Sequence, residues 1–205
     1  MIIPEKLQQQ RDYQSCVAFH GHTCMGLTIG YMAAKLGLKI LREERAIDEE
    51  LVCITENDAC CCDAIQVLTG CTFGKGNLIH RDIGKMAFTF GSRTTGEGIR
   101  LVLRQDIMDP PAEERALLQK MENGSATAGE IRSYQTMHQQ RSDSCFAKGP
   151  EGFFSVEDTK IPLPDKARIA PSRPCAICGE ATMETRLELV GSKSCCRDCA
   201  RQLEL

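Results

Sequence analysis

Two Cys-x-x-Cys pairs near the C-terminus constrain the fold of this chain more than any other feature. The pairs are Cys175–Cys178 and Cys196–Cys199, and seventeen residues separate them. This is the spacing of a structural zinc site, in which four thiolates surround the ion and leave no position open for a substrate. So short a segment buries little core without a metal. The sequence therefore predicts a zinc finger in residues 173–205 that binds Zn²⁺.

The residues around the second pair indicate which kind of finger this is. A strand pattern at 186–190 precedes the pair and a short helix pattern follows it, which is typical of a treble-clef or zinc-ribbon finger. Cys195 could replace Cys196 as a ligand, but Cys196 keeps the two-residue spacing. Basic and acidic residues alternate in this segment and the whole chain carries a net charge of -3. We therefore expect a structural or dimer-contact role for the finger rather than nucleic-acid binding.

Thirteen cysteines among 205 residues also bear on the cellular location. The first residues, Met1 to Lys6, contain no long apolar run, so we expect no export signal. No stretch of about 20 apolar residues predicts a membrane span, so we expect no membrane contact. Without export, many cysteines indicate metal or redox chemistry rather than a disulfide framework. We expect a cytoplasmic protein.

Helix and strand patterns alternate through the first two thirds of the chain. Helices are predicted at 5–18, 25–41, 59–68, 112–123 and 126–140, and strands at 51–55, 78–80, 86–90 and 99–103. This mixture predicts an α+β fold, with a mixed helix/sheet core domain in residues 1–141. Prolines and glycines then predict a linker in 142–172, and the small finger follows in 173–205.

A second cluster of metal-ligating residue types lies in the predicted core. His20, His22 and Cys24 alternate, and in an extended segment side chains two residues apart point to the same side. Cys24 and Cys60 each lie at the start of a predicted helix, where the helix dipole favours a thiolate. We predict that these four residues bind a second metal ion, Zn²⁺ or another soft metal, and that Cys60, Cys24 and His22 are the candidates for catalysis. The alternative is that they only pack in the core.

The remaining core cysteines have plainer interpretations. Cys71 follows a glycine, and a metal ligand, a resolving thiol and a turn residue are all open for it. The others are interpreted as small buried hydrophobic residues or as packing neighbours of Cys60: Cys16, Cys53, Cys61, Cys62 and Cys145.

Lys75 and Asn77 lie in a glycine-containing loop, Gly74 to Asn77. A lysine and an amide there could bind an anionic ligand or cofactor. A solvated turn explains the same residues equally well. Both interpretations stay open at the level of the sequence.

The residues of the core cluster also resemble a known family, the FmdE component of formylmethanofuran dehydrogenase and its stand-alone relatives. The resemblance covers about residues 12–140, and the finger resembles one that some members carry. One departure is Met25, where many relatives have proline. Four motifs carry the resemblance: Phe19-His20-Gly21-His22-x-Cys24 with Gly26, Glu56-Asn57, Cys60-x-x-Asp63-Ala64-Ile65-Gln66, and Leu68-Thr69-Gly70-Cys71-Thr72-x-Gly74-Lys75-Gly76-Asn77.

This resemblance implies an α+β core, a homodimer, and a metal site near the His-x-Cys segment. It also implies association with molybdenum or tungsten enzymes of one-carbon metabolism. The chain has neither the length of a molybdopterin enzyme nor a ferredoxin-type cysteine spacing. We therefore do not expect it to be the catalytic dehydrogenase itself.

Three functions are compatible with these residues. The favoured one is an accessory metalloprotein that binds a metal or docks on a dehydrogenase through its His/Cys core site. The second is a small zinc- or thiolate-dependent enzyme that acts on a formyl or thiol-bearing substrate, with Cys60 or Cys24 as nucleophile or ligand and His22 as base or ligand. The third is a regulatory zinc-finger module whose core senses a ligand. Whether the chain is an enzyme stays open.

Overall fold

A five-stranded sheet forms the centre of the larger part of the molecule. The computed structural model describes residues 1–159, 163, 165, 166 and 169–203. The strand order is β2-β1-β3-β4-β5; β1 and β2 are parallel and the other neighbours are antiparallel. The strands are β1 (Leu51–Thr55), β2 (Leu78–His80), β3 (Ala87–Ser92), β4 (Gly98–Leu103) and β5 (Phe154–Asp158).

Seven helices belong to the same unit. They are α1 (Glu5–Gln8), α2 (Arg11–His20), α3 (Met25–Leu41), α4 (Cys61–Thr69), α5 (Gln105–Met108), α6 (Ala112–Glu122) and α7 (Ala128–Ala147). Helix α3 is the central one, because eleven of its residues are buried. It approaches the sheet closely at Gly37, where an added Cβ would lie 2.7 Å from the ring of Phe90. Among the described helices, none is long and apolar enough to cross a membrane.

A second glycine lets α4 pack directly on α3. A Cβ added at Gly30 would lie 2.1 Å from the carbonyl oxygen of Cys61, which is far inside a normal contact distance. The start of α4 therefore rests on the backbone of α3 at a point where no side chain can intervene. This contact brings Cys60, at the N-terminus of α4, next to Cys24, at the N-terminus of α3.

The core unit extends further than the predicted boundary at residue 141. Helix α7 continues to Ala147, and β5 then adds the fifth strand by pairing with β4. Two aromatic residues explain this addition, because Phe153 and Phe154 are 0% and 3% exposed in the core. The first half of the predicted linker thus belongs to the core, and the compact unit spans Met1–Lys166. In the rest of the predicted linker, residues 160–162, 164, 167 and 168 lie outside the described residues.

The second unit, Ala167–Leu205, contains two hairpins and a helix. Strands β6 (Ser172–Pro174) and β7 (Ala181–Met183) form the first hairpin, and β8 (Leu187–Val190) and β9 (Lys193–Cys196) form the second. Helix α8 (Arg197–Leu203) follows at once. The predicted fold class, an α+β core followed by a small finger, is confirmed.

Candidate metal centres

Three ligand atoms of the predicted core site come together. One ring nitrogen of His20 and the sulfur atoms of Cys24 and Cys60 all lie within 4.8 Å of one another, and all three residues are half-buried. The Sγ atom of Cys24 is 3.8 Å from Nε2 of His20. Ligands about 2.0–2.3 Å from a tetrahedral zinc ion lie roughly 3.3–3.8 Å apart. The donor set therefore fits one shared ion, and three protein ligands leave a fourth position open.

Local turns bring His20 and Cys24 to the same point. His20 is the last residue of α2, and Gly21 reverses the chain in the left-handed conformation, with φ of 98°. Cys24 then caps α3, and its Sγ accepts a hydrogen bond of 3.3 Å from the backbone N–H of Leu27. A sulfur that accepts a helix N-terminal N–H is favoured as a thiolate, the form that binds metal.

A carboxylate holds the histidine from behind. Oδ2 of Asp63 lies 2.7 Å from Nδ1 of His20. Because Nδ1–H donates to this carboxylate, the lone pair of Nε2 is left to face Cys24. Gln66 supports the carboxylate in turn, since its Nε2 donates to Oδ1 of Asp63 over 3.5 Å. Carboxylate–histidine pairs of this kind orient metal ligands in proteins.

Asp63 is not among the site residues that the sequence predicts, although a signal for it is present. It lies three residues after Cys60. Residues three apart on a helix share a face, so a carboxylate there points to the same side as the start of the helix. From the sequence alone, Asp63 is an acidic residue favourable to the helix dipole and no more.

Cys60 has a less activated thiol than its place at a helix start suggests. Its side chain accepts no capping hydrogen bond from α4. Burial raises the pKa of Cys60, and the neighbouring Cys24 thiol raises it further. A cation between the two sulfur atoms would reverse this effect, because a coordinating thiol loses its proton to the metal. The environment of Cys60 therefore suits a metal ligand better than a free nucleophile.

His22 lies beside the three-residue group and outside it. Its ring centroid is 4.4 Å from that of His20, and the residue is exposed. The reason is the backbone, which is helical at His20 and turns at Gly21, so the two histidines do not alternate along an extended segment. The structure thus brings together three of the four predicted core ligands and places the fourth at the rim.

Lys75 and Asn77 both hold the loop in which they lie. Nζ of Lys75 donates to the backbone carbonyls of residues 46–48 over 2.7 to 3.4 Å. Asn77 is fully buried, where its amide donates to the carbonyl of Leu51 and accepts from the N–H of Thr72. Their polar groups are thus directed at the backbone, which is neither the anion site nor the solvated turn that the sequence left open.

Most of the other core cysteines are buried thiols. Cys71 is 0% exposed and donates to the carbonyl of Leu51, and burial raises its pKa to about 11. Cys61 donates to the side chain of Asn57 over 3.0 Å. Cys62 is half-buried, and a hydrogen bond from Cys61 lowers its pKa to about 7. Neither Cys61 nor Cys62 joins the three-residue group.

The finger brings all four predicted ligands together. The sulfur atoms of Cys175, Cys178, Cys196 and Cys199 lie within 4.8 Å of one another. The backbone N–H groups of Cys196 and Ile177 donate to Sγ of Cys175 over 3.3 and 3.5 Å, and they lower its pKa to about 6. Four thiolates at this spacing fit a closed tetrahedral zinc site.

The structure also decides between the two neighbouring cysteines of the finger. Cys195 and Cys196 are adjacent in β9, and successive side chains of a strand point to opposite faces. Cys196 faces the other three ligands, whereas Cys195 is fully buried in the small core of the finger. The prediction that Cys196 is the ligand is therefore consistent with the geometry.

Two family models match the chain. A model described as FmdE, molybdenum formylmethanofuran dehydrogenase operon, matches residues 19–155. A model described as prokaryotic dksA/traR C4-type zinc finger matches residues 168–205. The two matches cover the core unit and the finger in turn.

Individual proteins are similar over most of the chain. A solved crystal structure, that of an FmdE-like protein of tungsten formylmethanofuran dehydrogenase from Syntrophus aciditrophicus, is 25% identical with a TM-score of 0.63, and the match covers 97% of both chains. A probable S-adenosyl-L-methionine-binding protein from Archaeoglobus fulgidus is 27% identical over 180 residues, which is 83% of this chain and 48% of that protein. The chain thus spans about half the length of this curated relative.

Proposed function

Since this chain belongs to the FmdE family, we propose that it is an accessory metalloprotein of molybdenum- or tungsten-dependent formyl and formate metabolism. It is a metal-binding member of that family with a four-cysteine zinc finger. The proposed role in one-carbon metabolism is supported by the description of the family and by the name of the similar protein from Syntrophus aciditrophicus. The role would place the protein in the cytoplasm.

The observation that carries the proposal is the group formed by His20, Cys24 and Cys60. Two thiolates and one imidazole are ligands that suit Zn²⁺ and other soft metals. Asp63 would fix the orientation of His20, and the backbone of α3 would stabilise the Cys24 thiolate. The open fourth position would let the site exchange a ligand with a partner, which the closed finger site cannot do.

Two partners belong to the proposal. One is a second copy of the chain, and the other is a molybdenum or tungsten dehydrogenase. The support for both is membership of the family. Nucleic acid is not among the proposed partners, because the chain carries a net charge of -3 and the finger mixes both signs.

Metal content per chain tests the core site directly. We expect two metal ions per chain in protein purified without an affinity metal, as measured by plasma mass spectrometry. The double variant Cys24→Ala/Cys60→Ala should retain one, and the matched control Cys62→Ala, two residues from Cys60, should retain two. One ion per chain in the wild type would overturn the proposed core site. Native co-purification of the wild type with a dehydrogenase, lost in the double variant, would test the accessory role.

The open position and the exposed His22 favour a second function, a small hydrolytic enzyme acting on a formyl or thiol-bearing substrate. A bound Zn²⁺ ion supplies a water of lowered pKa at its open position. His22 would hold or accept a proton there, since its ring lies 4.4 Å from that of the ligand His20. Under this hypothesis His22→Gln abolishes hydrolysis of formyl esters and keeps two metals per chain. An absence of hydrolysis in the wild type would reject it.

A further inference from the structure

A groove between α2 and α4 lies beside the core metal site. Its volume is about 620 Å³, within the range of small-molecule sites. From Asp12 to Phe19 it follows α2 for seven residues, or about 10 Å. The groove is lined by Asp12, Ser15, Phe19, Arg45, Gln66, Val67, Leu68 and Thr72.

One end of the groove meets the residues that support the metal ligands. Phe19 directly precedes His20, and Gln66 donates to the Asp63 carboxylate that holds His20. The other side of the Gln66 amide is fixed as well, because its Oε1 accepts a 3.2 Å hydrogen bond from the N–H of Phe73. A molecule in the groove would therefore touch the residue that connects the loop at Phe73 to the core site.

The middle of the groove is apolar and partly exposed. Phe19 is 59% exposed, and Val67 and Leu68 are half-buried on the outer face of α4. An exposed phenyl ring beside two aliphatic side chains provides a surface for a flat, apolar body. Stacking on such a ring contributes about 0.5–1.5 kcal/mol beyond the area that it buries.

The unbalanced charge of the groove is positive. Within the described part of the chain, no carboxylate lies within ion-pair distance of Arg45, whose Nε is anchored by a 2.9 Å hydrogen bond to the carbonyl of Val67. Asp12 is already balanced, because Lys35 lies 2.9 Å from its carboxylate. Burial acts to raise the pKa of Asp12, but hydrogen bonds from Lys35 and Tyr31 outweigh it and keep the carboxyl ionised.

We propose that this groove is a binding site for a small planar aromatic anion. Its ring would lie on Phe19, Val67 and Leu68, and its anionic group would meet the guanidinium of Arg45. Thr72 would add a donor, because its Oγ1 accepts from the N–H of Lys75 and its hydroxyl proton is left for the ligand. Through Gln66 and Asp63 the bound anion would also perturb His20, and this last step alone rests on the proposed core metal.

Binding of 8-anilinonaphthalene-1-sulfonate, an aromatic anion whose fluorescence rises in apolar surroundings, tests the groove on the full chain. Arg45→Gln should weaken binding about tenfold, because a hydrogen bond to a charged group is lost. Phe19→Ala should weaken it about fivefold. Two controls remove a similar group elsewhere and should change binding less than twofold: Arg132→Gln on α7 and Ile47→Ala, which is 90% exposed. Unchanged binding in both groove variants would overturn the proposal.

The effect on the metal is measured separately, in protein loaded with Co²⁺. We expect the anion to shift the visible absorption of the core cobalt in the wild type and not in Gln66→Ala, and an unshifted wild-type spectrum would overturn the coupling. Binding of the anion that persists in Cys24→Ala/Cys60→Ala supports the groove without the core metal. Weakened binding in Arg45→Gln with two metals per chain leaves the proposed function intact, so the two proposals fail separately.

Discussion

The two metal centres of this protein are assembled in opposite ways. The finger takes its four ligands from residues 175–199, within two hairpins and the helix that follows them. The core centre takes three ligands from the end of one helix and the starts of two others, and Cys60 lies 36 residues from Cys24. The first centre depends on local spacing, and the second depends on how two helices pack.

This difference determines what stabilises each centre. In the finger, the small buried core contains Cys175, Cys195, Cys199 and Ala200, so the metal must supply most of the folding free energy. In the core unit, helices and a sheet bury a continuous apolar cluster, and the metal ligands lie at its edge. Loss of metal should therefore unfold the finger and leave the core unit folded.

The largest expected effect is that of Cys178→Ala, which removes one of the four finger ligands. Structural zinc contributes about 10–16 kcal/mol to the folding of small fingers. We expect residues 169–203 to unfold and lose their metal, while the core keeps its own. Limited proteolysis and metal analysis measure both effects. Cys195→Ala is the control, since Cys195 lies next to the ligands and outside the group. A finger that resists protease in Cys178→Ala would contradict the comparison.

A smaller effect is expected where the two helices of the core touch. The Cβ of Gly30→Ala would lie 2.1 Å from the carbonyl of Cys61, so α4 must move away from α3. We expect a loss of about 3 kcal/mol in the free energy of unfolding and loss of the core metal, with the finger metal retained.

Urea denaturation followed by circular dichroism, with metal analysis on the same samples, measures both consequences. Gly74→Ala is the matched control, because a Cβ there would meet nothing within 4 Å. Should Gly30→Ala keep the core metal at wild-type affinity, the close packing of α3 and α4 would not be what places Cys60.

The same contrast explains how much could be predicted from the sequence. Periodic apolar patterns predicted α3 and β1 to the residue, and the cysteine spacing predicted the finger ligands. Strand β5 was missed because it follows prolines and glycines, and only pairing with β4 and burial of Phe154 make it a strand. Such gains come from distant residues, which a local pattern does not contain.

The core site was predicted in part for the same reason. Three residue types in two motifs were sufficient to nominate Cys24, Cys60 and His20, which the fold then brings together. The position of His22 depended on the conformation of Gly21, and the role of Asp63 depended on contact between α2 and α4. Residue types can be recognised in a sequence, whereas their orientation depends on turns and packing.

The smallest effect, and the sharpest test of the core centre, is that of Asp63→Asn. The amide has nearly the same shape as the carboxylate but carries no charge, so it holds the ring of His20 less firmly and makes Nε2 a weaker donor. Replacing such a supporting group typically lowers metal affinity about 10–100-fold. We expect this loss at the core centre, with no change in the finger or in the unfolding of the core.

Competition with a chromophoric chelator measures the two affinities in one titration, and the finger serves as an internal reference. Asp58→Asn is the matched control, because Asp58 is exposed and two residues from Cys60. Equal affinities in Asp63→Asn and the wild type would mean that His20 does not bind the metal through the nitrogen that faces Cys24. The core centre would then be a pair of thiols, and its open position would be wider than three protein ligands allow.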